Sequence, residues 1–155
     1  VLVVLVWIYF AFPLLAGVNF APFWAALVAL TLHIAAYSAE VIRAGIESVR
    51  PGQMRAGLAL GMSRAQALRK IILPQATIRM LPAFGSVLTV AIKDTAIATV
   101  IAVPELMHKA ETIAGQSYRP IEVFTAVIVA YFVILFPVTR GVDRLYQRYA
   151  HLGRS

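Results

Sequence analysis

The sequence predicts an all-α integral membrane protein, a bundle of transmembrane helices. Three observations carry this. Of 155 residues, 61% are hydrophobic and 14% charged, with mean hydropathy +0.81, whereas an ordinary soluble domain is about 45–50% apolar and about 25% charged. The apolar residues fall in long runs rather than in the two-residue alternation of an outer-membrane barrel. Eleven of the fourteen lysines and arginines fall in alternate connections between those runs. In lipid every backbone polar group must be paired within the segment, so the runs read as helices.

The first run, Val1 to about Gly17, is short for a span. It opens without a basic leader or a small-residue cleavage site, so it reads as a span whose natural N-terminus lies upstream and not as a signal peptide. Phe23–Ile42, Met80–Val103 and Ile121–Thr139 each approach the roughly 20 residues needed to cross a bilayer. Between the second and third runs lie Arg43, Arg50, Arg55, Arg64, Arg69, Lys70 and Arg79; the tail adds Arg140, Arg144, Arg148 and Arg154. Pro104–Pro120 holds only Lys109 and Arg119, offset by Glu105 and Glu111. Basic loops stay inside, which puts 43–79 and the tail in the cytoplasm and the Pro13–Pro22 and Pro104–Pro120 turns outside. Residues 1–155 read as one domain, and the net charge of +7 marks cytoplasmic loops and no nucleic-acid surface. There is no cysteine, hence neither a disulfide framework nor a thiolate metal site.

The cytoplasmic segment has its own grammar. Pro51-Gly52 reads as a turn, Gln53–Leu60 as a short alanine- and leucine-rich helix, and Gly61 as the left-handed residue that ends it. Ser63, with Gln66 three residues on, is a capping-box pattern. It starts a second helix, Arg64–Ile72, that Leu73-Pro74 is expected to stop. Two readings fit: an amphipathic element resting on anionic lipid with snorkelling arginines, or a docking element in which Ala56, Gly57 and Ala59 allow close approach to a partner.

The spacing here resembles the signature of binding-protein-dependent ABC importer permeases: Glu-Ala-Ala, three residues, Gly, nine residues, Ile-x-Leu-Pro. Gly61, Ile71 and Leu73-Pro74 hold those places, while Arg55-Ala56-Gly57 stands where the triplet would be. The flanks AAYSAEVIRAGIESVRPGQ and KDTAIATVIAVPEL extend the resemblance to the polar amino-acid branch (histidine, glutamine and glutamate type), over essentially the whole chain. It implies a coupling helix that docks on a separate ATP-binding subunit, which carries the ATP and Mg. It also implies a second permease subunit forming a homo- or heterodimer, an extracytoplasmic amino-acid-binding protein, and a bacterial inner-membrane location. Gln53, Arg55, Ala56, Gly57, Ala59, Leu60, Gly61 and Ser63 would form the coupling element. Arg55 reverses the charge of the family's glutamate, so an ion pair at that place is not carried over.

Lys93 and Asp94 fall near the middle of the third run, where each charge costs roughly 2.5–3.5 kcal/mol on insertion scales. Adjacent helix residues do not face each other, and the residues four away are uncharged. Each therefore needs a partner elsewhere, as an inter-helix clamp or in a polar cavity. At 1.5 Å per residue, Asp94 lies about 21 Å from Met80 and His33 about 14 Å from Ile42, which lets the two approach given tilt. His33, Thr31, Lys93, Asp94, Thr95 and Thr99 are the candidate lining of a translocation cavity. Glu40 is expected to pair with Arg43, and Glu47 with Arg43 or Arg50.

After Pro104, ELMHKAETIAGQ reads as an amphipathic helix with a Glu105–Lys109 pair, ended by Gly115. Glu105, His108, Lys109 and Glu111 are candidate contacts for the external binding protein, against the alternative of a solvated face. Arg140, Arg144 and Arg148 recur every fourth residue and would form a basic stripe at the inner leaflet. No phosphate-loop, zinc-protease or nucleophile-elbow motif occurs, so the chain reads as no enzyme. His33, His108 and His151 are too far apart for a metal site. The competing class is an ion-coupled secondary carrier or intramembrane enzyme using Lys93 and Asp94.

Overall fold

A computed structural model describes residues Val1–Tyr149, all but the last few residues of the chain; His151 and Arg154 lie outside the described residues. Among the described residues six helical runs follow one another, and three are long and apolar enough to cross a membrane: Pro22–Glu47, Arg64–Ile101 and Pro120–Tyr149.

Helix α1, Leu2–Ala16, ends at Gly17 with φ +66. Helix α2, Pro22–Glu47, outlasts the expected span at its inner end. There Arg43 bonds both Glu40, at 2.6 Å, and Glu47, at 3.4 Å, so Glu47 takes Arg43 and not Arg50 as its partner. Beyond it, the Arg79 guanidinium donates to the Ser48 carbonyl, a cation on the orphaned acceptors of a helix C-terminus.

Helix α3 is Pro51–Ala59. Pro51-Gly52 is thus the first turn of this helix and not a turn before it. Proline suits that place because the first N–H of a helix has no intrahelical partner to lose.

Helix α4, Arg64–Ile101, overturns two expectations. It does not stop at Leu73-Pro74. Leu68–Ile72 widens into a π turn in which the Leu73 N–H reaches back five residues to the Leu68 carbonyl. The wider turn gives room to a proline ring that would otherwise collide with the carbonyl four residues earlier. Helix α1 does the same thing before Pro13: Trp7–Ala11 is π-helical and the Phe12 N–H bonds the Trp7 carbonyl. Nor is Met80–Val103 a uniform α-helix. The α part of α4 ends at Asp94, and Thr95–Ile101 is a seven-residue 3-10 segment closed by Ala102 in the left-handed region at φ 56. Lys93 and Asp94 therefore stand at a junction, not at a helix centre. Local sequence favours the change: Thr95, Ile97, Thr99, Val100 and Ile101 are β-branched, and the Thr95 hydroxyl donates to the Ile92 carbonyl at 2.7 Å, competing with the ladder.

Helix α5, Leu106–Ser117, passes through Gly115 and ends at Tyr118, which is left-handed at φ 57. Its start corrects the expected Glu105–Lys109 pair. The Glu105 carboxylate instead accepts from the N–H groups of Met107, at 2.7 Å, and His108, at 2.6 Å, which have no intrahelical partners. Helix α6, Pro120–Tyr149, buries only Val127 and exposes Ile121, Ile128, Phe132 and Val133. A continuous apolar surface of this kind belongs against lipid or another chain.

The described residues pack as two compact units. In the first, Val1–Ala35 with Leu88–Pro137, Leu5 and Ile8 of α1 meet Ala25, Ala26 and Ala29 of α2 and Ala98, Ile101 and Val103. The second takes in Ala36–Val87 and the chain from Val138. Its core is Val49, Ile72, Ala76 and Met80, closed by two glycines. A Cβ on Gly45 would lie 2.1 Å from Met80 Cγ, and one on Gly85 would lie 2.6 Å from Val142 Cγ1. Small residues at such crossings let membrane helices approach closely where no hydrophobic effect drives them together.

Candidate functional site

The first candidate site is the elbow between α3 and α4. The Gly61 N–H bonds the Leu58 carbonyl at 3.0 Å and the Met62 N–H the Gly57 carbonyl at 3.1 Å, the two bonds of a Schellman ending. Gly61 has φ +80, and nothing lies within 4 Å of where its Cβ would be. Ser63 and Gln66 then make the reciprocal capping box: Ser63 Oγ accepts from the Gln66 N–H at 3.3 Å, and Gln66 Oε1 accepts from the Ser63 N–H at 2.9 Å. Helix, glycine elbow and helix thus stand as the spacing predicts.

The elbow sorts its residues into two sets. Gly57 is buried, with its absent Cβ 3.0 Å from both Ala67 Cβ and Ile71 Cδ1. It lets α3 lie on the start of α4 and presents nothing outward. Arg55, Ala56, Ala59 and Leu60 are exposed, Leu60 at 77%, while Gln53 is half-buried. With Leu58 also exposed, the outward surface of α3 is apolar with the Arg55 cation at its edge. Replacing Ser63 by alanine removes one arm of the capping box and is expected to cost about 0.5–2 kcal/mol of local stability. Faster amide hydrogen exchange confined to the first turn of α4 is the readout, and unchanged exchange there would contradict it.

The second candidate site is a polar cluster in the first unit. His33 Nε2 lies 3.5 Å from Asp94 Oδ2, with the side chains 24% and 20% exposed, so the approach inferred from helix rise is realised. The Thr99 hydroxyl donates to Glu111 Oε2 at 2.9 Å, and its oxygen is 3.4 Å from His108 Nδ1. With the Thr99 proton on Glu111, His108 must be the donor of that second contact. Residues that the sequence assigned to two separate groups, cavity and outer contact, meet at Thr99. Thr95 turns back on its own helix. Thr31, Lys93 and Lys109 are exposed, and neither lysine forms an ion pair among the described residues. No group of three His, Asp or Glu residues able to hold a metal occurs among the described residues.

Over residues 1–151 the chain matches the family of binding-protein-dependent transport system inner membrane components. The chain belongs to that family. It is 38% identical over 149 residues to the glutamine transport system permease protein GlnP of Escherichia coli (strain K12), covering 96% of this chain and 68% of that protein. It is 43% identical over 129 residues to the probable amino-acid ABC transporter permease protein PatM of Vibrio harveyi, covering 83% of this chain and 57% of the relative. Among solved structures it resembles an amino acid ABC transporter crystallised with histidines: TM-score 0.88, 37% identity, 95% of this chain and 68% of that one. None of these matches supports a secondary carrier or intramembrane enzyme.

For this transport-system component, sequence reasoning missed Gly45 and Gly85. Both look like ordinary helix-interior glycines, and only the fold shows that Met80 and Val142 lie against them. It also missed the Thr99 contact with α5, which depends on the 3-10 geometry that places Thr99.

Proposed function

We propose that the chain is the membrane-spanning permease subunit of an importer of amino acids. It would line the translocation path by alternating access and take its energy from a separate ATP-binding subunit that carries ATP and Mg. It would pair with a second permease subunit, identical or not, and receive substrate from an extracytoplasmic amino-acid-binding protein. The membrane is the bacterial inner membrane, with 43–79 on the cytoplasmic side.

The observation that carries this reading is the elbow. A Schellman ending and a capping box, back to back, hold a short helix whose exposed side carries Ala56, Leu58, Ala59 and Leu60, in the place where the family resemblance puts the coupling element. Such a face suits insertion into a cleft of a partner. The amino-acid substrate class follows from the relatives, whose names specify glutamine and amino acids.

The test is affinity purification of the full-length protein from its native membranes, with ATPase activity assayed in the eluate. The expected result is a co-purifying ATPase that is lost when Gln53–Gly61 is deleted while the membrane helices still insert. If no ATPase accompanies the undeleted protein, the reading is wrong and the basic segment is a lipid anchor.

A further inference from the structure

A 3-10 segment of seven residues, Thr95–Ile101, closes α4 and is long for its kind, since such runs rarely exceed about 3–4 residues. It is held at both ends. Asp94, its N-terminal neighbour, faces His33 of α2, and Thr99 is bonded to Glu111 and His108 of α5. Beyond it, Ala102 is a non-glycine residue in the left-handed region, a conformation that persists only where the surroundings impose it.

The geometry of the alternative is calculable. At about 2.0 Å rise per residue instead of about 1.5 Å, the seven residues span roughly 3.5 Å more as a 3-10 helix than as an α-helix. Rewinding from 3.0 to 3.6 residues per turn would swing Thr99 by about 80° relative to Thr95. The Thr99 contacts cannot survive that rotation. Glu111 is exposed on α5, so a protein arriving on that helix can reach the carboxylate that holds Thr99.

We propose that Thr99 is a latch between α5 and the spanning helix α4. With Thr99 on Glu111 and His108, the segment is held long; when a docking protein presents a basic side chain to Glu111, Thr99 is released and Thr95–Ile101 rewinds and shortens. Arrival of a partner at the outer helix is thereby transmitted to the spanning helix. This rests on the reading that an external binding protein docks on this subunit.

Residues 1–155 hold no cysteine, so once any cysteines elsewhere in the complex are replaced, an introduced pair is the sole target of a thiol reagent. Thr99→Cys combined with Glu111→Cys, in the full complex reconstituted with its ATPase and binding protein, is bridged by a bifunctional methanethiosulfonate reagent. Unbridged, this variant lacks the latch and is expected to hydrolyse ATP at least threefold above the unmodified basal rate without binding protein. Bridging is expected to keep the ATPase subunit bound and return hydrolysis to basal, with less than twofold stimulation by added binding protein, and reduction to restore the raised rate. Thr99→Val, which lacks the hydroxyl, is expected to raise basal hydrolysis at least threefold without binding protein, and Thr99→Ser, which keeps it, to raise it less than Thr99→Val does. Full stimulation in the bridged complex overturns the latch, as does unchanged basal activity in Thr99→Val or a loss that reduction does not reverse. Each of these leaves the permease reading intact if the ATPase is still bound. Absence of any ATPase from the unmodified complex overturns both.

Discussion

Replacing Gly45 with leucine is expected to abolish accumulation of the folded chain, seen as loss of the monodisperse peak in detergent size exclusion. Gly45 is buried where α2 crosses α4, and even a methyl group there would sit 2.1 Å from Met80 Cγ, 2.8 Å from Sδ and 2.9 Å from Cε. Only the end of the Met80 side chain can move aside cheaply, and Cγ is not its end. Overpacking of this kind typically costs about 1–3 kcal/mol, and leucine adds three further carbons to the same gap. Specificity comes from the pair. Gly45→Ala and Met80→Ala should each lower the melting temperature, while the double variant should lose less than the two singles together, because the alanine at 45 takes space that Met80 gives up. Strict additivity would show that the two residues do not share the contact.

The second large effect is expected at Gly61. Gly61→Val should eliminate stimulated ATPase activity and weaken ATPase co-purification, with the melting temperature of the membrane helices close to that of the unmodified protein. No atom lies near the position of the added Cβ, so packing is not the cause. The backbone is: φ +80 costs a residue with a Cβ about 1–2 kcal/mol, and a β-branched side chain makes it a true outlier. Helix α3 has nine residues, a length at which helices are marginal on their own, so a penalty at its ending acts on the whole element. Asparagine tolerates the left-handed region; Gly61→Asn should therefore retain most of the stimulation. Equal activity for the valine and asparagine variants would remove the conformational explanation.

The two sites differ in how far sequence reveals them. Gly61, Ser63 and Gln66 act on neighbours within a few residues, so the left-handed ending and the capping box are legible as spacing alone. The spans are legible for the same reason, since lipid demands a run of apolar residues of fixed length. Gly45 and Gly85 are illegible because their partners are distant in sequence. The 3-10 segment is only half legible: its threonines and valine are visible, but so are those of many ordinary helices, and the ties to His33 and α5 that hold it are long-range. Gly57 misleads for a related reason. A small residue invites close approach, and composition does not say whether the neighbour is a partner protein or, as here, Ala67 and Ile71.

The π turn before Pro74 has a consequence for helical phase. From Arg64 to Met80 the buried positions of α4 run Ala67, Ile72, Ala76, Met80, a step of five followed by two steps of four. A π turn takes one residue more than an α turn, and one residue is worth about 100° of rotation. Continued in fours from Ala67, the inward row would have been Ile71 and Gln75, placing an amide in the apolar core of the second unit. The extra residue turns Ile72 and Ala76 fully inward instead and leaves Gln75 half-buried, its Nε2 donating to the Ile71 carbonyl at 3.0 Å and its Oε1 buried without a hydrogen-bond partner among the described residues. Pro74 and the π turn thus act together as a phase correction: without it, the stripe that begins at the elbow and the stripe that packs beneath α2 would belong to different faces of the same helix.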